Sequence, residues 1–118
     1  MVVISLASNG IYKDPMKSAF SIEYYESDPE QQYMDFLEKS DDVTKWTKNH
    51  GIRIPYFNLD DKLAHYTPDF LVEHKNGDQE IVEIKGGHLI NNPITRRKSQ
   101  AAMEWCKKRG IKYTLKEV

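Results

Sequence analysis

Three charged residues stand at spacings that could do chemistry. They are Asp69, in Tyr66-Thr67-Pro68-Asp69-Phe70-Leu71-Val72, and Glu83 and Lys85, in Ile81-Val82-Glu83-Ile84-Lys85-Gly86. Phe70, Val72, Val82 and Ile84 form the apolar set of two alternating strands, so one sheet face is core and the three charged residues fall on the opposite parity. Whether they meet depends on the loop between the strands. A two-residue Asn76-Gly77 turn pairs Phe70 with Glu83 and throws Asp69 onto the face away from Glu83 and Lys85. A three-residue Lys75-Asn76-Gly77 loop, a type I turn with Gly77 in the left-handed bulge position, sets His74 opposite Asp78 and Asp69 opposite Glu83. The first register leaves a charged group on each core face, so burial argues for the second.

In that register the facing Cβ atoms are about 4.5–5.5 Å apart, near enough for two carboxylates to share one divalent cation. Without a cation between them they repel. Oxygen-only ligation suits Mg²⁺, with Mn²⁺ as a substitute, and such ions borrow further ligands from substrate phosphates. The chemistry implied is phosphodiester hydrolysis, with Lys85 holding or activating the attacking water or neutralising the transition state.

The elements that must position these residues are legible around them. A helix is signalled from Ser27 by Asp28-Pro29, an N-cap candidate followed by proline at the first helical position, and runs through Tyr33, Met34, Phe36 and Leu37 to about Lys39. Val43 to Lys48 and Ile52 to Phe57 read as short strands about an Asn49-His50-Gly51 turn, and Asn58 to Ala64 as a loop. Tyr66 to His74 and Gln79 to Lys85 form the hairpin. After a loop from His88 to Pro93, a second helix carries Ala101, Ala102, Trp105 and Cys106 and stops at Gly110; Ile111 to Leu115 is a last strand. Residues 1–26 read as an N-terminal arm, with a possible strand at Val2 to Leu6 and a turn at Asn9-Gly10, and residues 27–118 as the core of one domain. The order predicts an α/β or α+β fold, a sheet flanked by helices.

Composition narrows the function classes. The chain of 118 residues is 39% hydrophobic and 30% charged, inside the globular range. Its apolar runs are a few residues long against the roughly 20 of a spanning helix, so no membrane role and a cytoplasmic location are expected. The single cysteine, Cys106, makes neither an internal disulfide nor a structural zinc site. Residues 1–83 hold 8 basic against 16 acidic side chains and residues 84–118 hold 9 against 2, leaving −8 and +7. Such a split suggests a polyanion partner at the C-terminal third, or two halves that attract each other on folding.

Pro68-Asp69 with Glu83-Ile84-Lys85 across a hairpin resembles the PD-(D/E)xK nuclease superfamily. Ile54-Pro55-Tyr56, Tyr66 to Phe70, Lys98, Ala101-Ala102 and Trp105 make the chain similar over residues 27–116 to the TnsA-type cleavage subunit of heteromeric transposases. The nuclease domain of type III restriction enzymes and small phage endonucleases share much of the pattern. The resemblance implies a restriction-endonuclease-like mixed sheet flanked by helices and Mg²⁺-dependent DNA cleavage. It also implies metal ligation by Asp69, Glu83 and the Ile84 carbonyl, with Lys85 as catalytic lysine.

That superfamily usually adds an acid from the first helix, and the candidate by position is Glu30, which also reads as the N3 residue of a Ser27 capping box. Arg96, Arg97 and Lys98, at the start of the second helix, are candidate phosphate contacts. Lys98 lies on that helix's inward face, either reaching the site or snorkelling over apolar packing. The four histidines show no metal-pair spacing, and Trp46 and Trp105 read as core. The expected substrate is duplex or branched DNA, with specificity supplied by a homodimer or a larger partner protein. The alternative is a non-catalytic DNA-binding or assembly module that keeps the nuclease fold.

Overall fold

The computed structural model describes residues 10–118. The strand expected at Val2 to Leu6 lies outside the described residues. The chain runs β1 (Gly10–Lys13), β2 (Ile22–Tyr25), α1 (Asp28–Lys39), β3 (Val43–Thr47), β4 (Ile54–Phe57), β5 (Leu63–Tyr66), β6 (Phe70–His74), β7 (Gln79–Lys85), α2 (Pro93–Arg109) and β8 (Lys112–Glu117). A mixed four-stranded sheet in the order β3-β6-β7-β8 carries the architecture, antiparallel except for the β7–β8 pair. The parallel pair needs a crossover, and α2 provides it. The expected mixed sheet flanked by helices is thus what the chain forms.

Both faces of this sheet are covered, where one had been expected to be core. Phe70, Val72, Val82 and Ile84 pack with Val43 and Trp46 beneath Met34 and Leu37 of α1. On the other face Ile81 is fully buried beside Tyr113, which joins Ala102 and Trp105 of α2 and Ile54 and Tyr66 in a second cluster. Two-sided burial explains why β7 reads Ile81-Val82 rather than alternating strictly.

The helix ends follow local chemistry. Ser27 caps α1, its Oγ accepting from the Glu30 N–H at 3.3 Å, so Asp28 is the first helical residue rather than the cap. Asn92 caps α2 through Oδ1 to the Ile94 N–H, and Gly110 ends it at φ 68°, a left-handed turn that costs a glycine little.

Three expectations are corrected. Tyr66 to His74 is not one strand: it breaks at Thr67-Pro68-Asp69, where Pro68 is buried and has no N–H to give a ladder. The segment before the break, Leu63–Tyr66, begins inside the Asn58 to Ala64 stretch read as a loop and pairs with β4 in a separate two-stranded ribbon, so β3 and β4 are not hairpin partners. Residues 10–25 are not a loose arm but a hairpin whose Tyr12 meets the edge of Trp46 at 6.0 Å between ring centroids. A 3₁₀ turn, Gly87–Leu89, also stands within the loop expected before α2.

Phe70 sits at the centre of the α1-side core, fully buried, with ring centroids 5.2 Å from Tyr33 and 6.0 Å from Trp46. Phe70→Ala is expected to cost about 3–5 kcal/mol, read as a lowered urea midpoint with an unchanged slope.

Candidate active site

The β6–β7 hairpin sets the site. Its register pairs Phe70 with Val82, Leu71 with Ile81, Val72 with Glu80 and Glu73 with Gln79. The His74 N–H donates to the Asp78 carbonyl and the Gly77 N–H to that of His74, with Gly77 at φ 90°. This is the three-residue loop expected from the sequence, and one step beyond Phe70 and Val82 it sets Asp69 against Glu83. The Asp69 N–H donates to Glu83 Oε1 at 3.1 Å, and the Ile84 N–H donates to Asp69 Oδ2 at 2.8 Å.

Two carboxylates held together under cover are electrostatically costly. Burial first, and then the charge of Glu83, push the Asp69 carboxyl up to about 7, against the opposing pull of the Ile84 N–H and of Lys48. Burial also raises Glu83, countered by Lys85, whose Nζ lies 3.6 Å from Glu83 Oε2, by the Asp69 N–H and by Lys98. Lys98 extends from α2 with its Nζ 5.6 Å from the ring centre of Tyr56 and 5.7 Å from that of Tyr66. It therefore both packs on aromatics and places its charge toward Glu83.

Glu30 comes from the opposite side of the sheet. Only 6% exposed, it accepts the Glu26 N–H at 3.1 Å and pairs with the Lys48 ammonium through the same oxygen, Oε1. Its capping-box partner is thus the residue before the cap rather than Ser27 itself. Its charge also acts on Asp69. The site lies where the two layers meet, with Glu30 and Lys48 arriving from the α1 side and Glu83, Lys85 and Lys98 from the α2 side. Among the described residues, no three His, Cys, Asp or Glu side chains stand close enough to hold a metal by themselves.

The structure therefore brings Glu30, Asp69, Glu83, Lys85 and Lys98 to one place. Arg96 is exposed on the first turn of α2. Arg97 Nη1 donates to the carbonyl of Asn58 and to Asp61 Oδ1, both at 3.1 Å, clamping the β4–β5 loop to α2.

Three residues of the site were not singled out in the sequence. Lys48 shares the parity of buried Trp46 at the end of β3, the signal that its side chain turns inward. His50 accepts the Ile52 N–H on Nδ1 at 3.0 Å, so Nε2 carries the proton and donates to the Pro68 carbonyl at 2.8 Å, holding the residue before Asp69. Burial lowers the pKa of His50, in keeping with a neutral ring. Glu23, 2% exposed, accepts from Ser18 Oγ, Thr47 Oγ1 and the Lys48 N–H. No local pattern in residues 1–26 marks it as buried.

Set against known proteins, the chain matches the family model described as TnsA-like endonuclease N terminal over residues 40–117. The chain belongs to the TnsA-like endonuclease family. No curated protein matches it significantly. The family match covers Lys48, Asp69, Glu83, Lys85 and Lys98 but not Glu30, so the TnsA-like segment contains the hairpin pair while α1 lies ahead of it. Among the described residues, no helix of this TnsA-like chain is long and apolar enough to cross a membrane.

The raised carboxyl of Asp69 has a measurable sign. Between its unfolded value near 3.8 and its folded value near 7, the native state holds a proton that the unfolded state has released, so the group's contribution to stability declines as pH rises through that window. In EDTA, Asp69→Asn is expected to melt higher than the parent at pH 8 and to lose that advantage toward pH 4, as read by thermal denaturation. An advantage independent of pH would contradict the buried repulsion.

Proposed function

We propose that the TnsA-like domain is a divalent-metal-dependent endonuclease that hydrolyses phosphodiester bonds in duplex or branched DNA. The observation that carries this reading is the Asp69–Glu83 pair, two covered carboxylates held by the Asp69 and Ile84 backbone N–H groups and left with net mutual repulsion. Such a pair costs stability unless a cation is its working partner. An all-oxygen donor set of Asp69, Glu83 and the Ile84 carbonyl fits Mg²⁺ or Mn²⁺ better than softer metals. These three residues would hold the ion, which when bound lowers the pKa of water and draws charge from the scissile phosphate.

The chain's own groups do the rest. The Ile84 N–H fixes one oxygen of Asp69, so that carboxylate is oriented before any ligand arrives. Lys85, tethered to Glu83, presents an ammonium where negative charge develops as water attacks phosphorus, stabilising the transition state more than the ground state. Lys98 adds a second positive charge from α2, acting on Glu83. The exposed Arg96 would contact the DNA backbone, whereas Arg97 serves first to hold the β4–β5 loop. So small a domain has little surface for reading bases, and a second copy or a larger partner protein would supply specificity.

Purified protein with plasmid and branched DNA tests this. Cleavage is expected in Mg²⁺ or Mn²⁺ and none in EDTA. Asp69→Asn and Lys85→Ala are each expected to lower turnover by about 10²–10³-fold, comparable to removing one transition-state donor. DNA affinity is retained, since Asp69→Asn also removes a charge that repels phosphate. Arg96→Ala is expected to weaken binding across sequences and reduce the salt slope by about one unit. Parent-like cutting by Asp69→Asn would overturn the nuclease reading and leave a DNA-binding module as the better account.

A further inference from the structure

We propose that Lys48 is a positioning residue, an internal counter-cation that occupies Glu30 and thereby limits the Asp69–Glu83 pair to a single divalent ion. The inference rests on the metal-dependent reading above. The charge of a third acid, Glu30, reaches the Asp69–Glu83 pair at this end of the sheet, and a further carboxylate beside such a pair is what a second ion would need. Here the third acid is already taken. Glu30 Oε1 is engaged by both the Lys48 ammonium and the Glu26 N–H, with the paired side chains only 14% and 8% exposed for Lys48 and Glu30.

The lysine is constrained along its length. Its backbone N–H donates to Glu23 Oε1 at 3.0 Å, anchoring the end of β3 through a carboxylate that is itself buried. Its Nζ lies 5.7 Å from the centre of the Phe70 ring, the residue next to Asp69, where a cation is favoured by the ring face. A buried ammonium keeps its charge only with a partner, and Glu30 is the partner the structure gives it. Any divalent ion approaching Glu30 meets this fixed positive charge at close range and low dielectric, which disfavours a second site. The same charge acts in the opposite sense to Glu30 on Asp69, so Lys48 balances the acid it holds. Glu30 is then kept near the reaction without being a primary ligand. That agrees with the absence, among the described residues, of a three-acid metal cluster.

Counting bound Mn²⁺ by the loss of its free-ion spectrum on the metal-stripped chain tests the assignment independently of cleavage. The parent is expected to bind one ion. Lys48→Met keeps the aliphatic stem and removes the charge, and is expected to bind a second ion or to hold the first at least tenfold more tightly. Glu30→Gln in the parent is expected to keep the count at one ion, held less tightly because Lys48 is left without its counter-charge. The double variant is expected to return to one ion at parental affinity, and Lys48→Arg to stay there. One ion at unchanged affinity in Lys48→Met, or a gain that persists in the double variant, would overturn the proposal. Should Lys48→Met not fold, the double variant decides, because it removes both charges and a tenfold or greater loss of affinity there would contradict a Glu30 held in reserve. Asp69→Asn separates the two claims. If it binds Mn²⁺ as well as the parent, the metal reading fails and this inference with it. If it loses the ion while Lys48→Met shows no gain, this inference alone fails.

Discussion

The offset of one hairpin is the constraint on which the structure depends. Gly77 at φ 90° closes a three-residue loop, and that loop decides which residue of β6 faces which residue of β7. A shift of one position would turn the faces of one strand over relative to the other. Either Phe70 and Val72 or Val82 and Ile84 would leave the core beneath α1, and Asp69 would part from Glu83. Packing and chemistry are thus set by the same few backbone angles, and the apolar residues that enforce the register also hold the acids in place.

The site sits at the end of the strands because both layers can reach it there. A purely α1-side or α2-side position would draw charged groups from one helix only. At the strand ends, Lys48 with Glu30 and Lys85 with Lys98 approach from opposite faces and surround a repulsive pair with compensating charge. The repulsion that remains is the kind of local conflict that functional sites retain while the rest of a fold resolves it. His50, neutral and bonded through both ring nitrogens, carries no charge into this balance and steadies the Pro68 carbonyl instead.

How legible all this was in the sequence differed with the distance over which each signal acts. The β6–β7 hairpin and both helices were readable because alternation, helical spacing and capping residues are local. Asp69 against Glu83 followed from loop length and burial, two constraints within 20 residues. The split at Thr67-Pro68-Asp69 and the β4–β5 ribbon were not readable in this way. Short apolar stretches such as Leu63–Tyr66 look alike whether they pair or form loops, and pairing is a tertiary choice. Glu23 and Lys48 escaped for a related reason. Their roles come from partners in other elements, with no shared hairpin to set the pairing: Thr47 for Glu23, and Glu30 for Lys48. Arg97 shows the converse, a residue type suited to phosphate that tertiary structure engages with a loop.

The segment that a family model recognises is smaller than the unit that coheres. The match begins at residue 40, yet Trp46 donates its indole N–H to Glu38 at 2.8 Å and its backbone N–H to the Lys17 carbonyl at 3.2 Å. Thr47 and Lys48 bond to Glu23, and Lys17 Nζ bridges the carbonyls of Leu37 and Ser40. These links stitch the N-terminal hairpin and α1 onto the strand that leads into the site. Cutting the chain at the recognisable boundary would leave buried donors with no acceptor and half of the hydrophobic core without its cover. Transplanting this domain, or tracing its descent, therefore has to follow the seam of buried hydrogen bonds rather than the edge of sequence likeness.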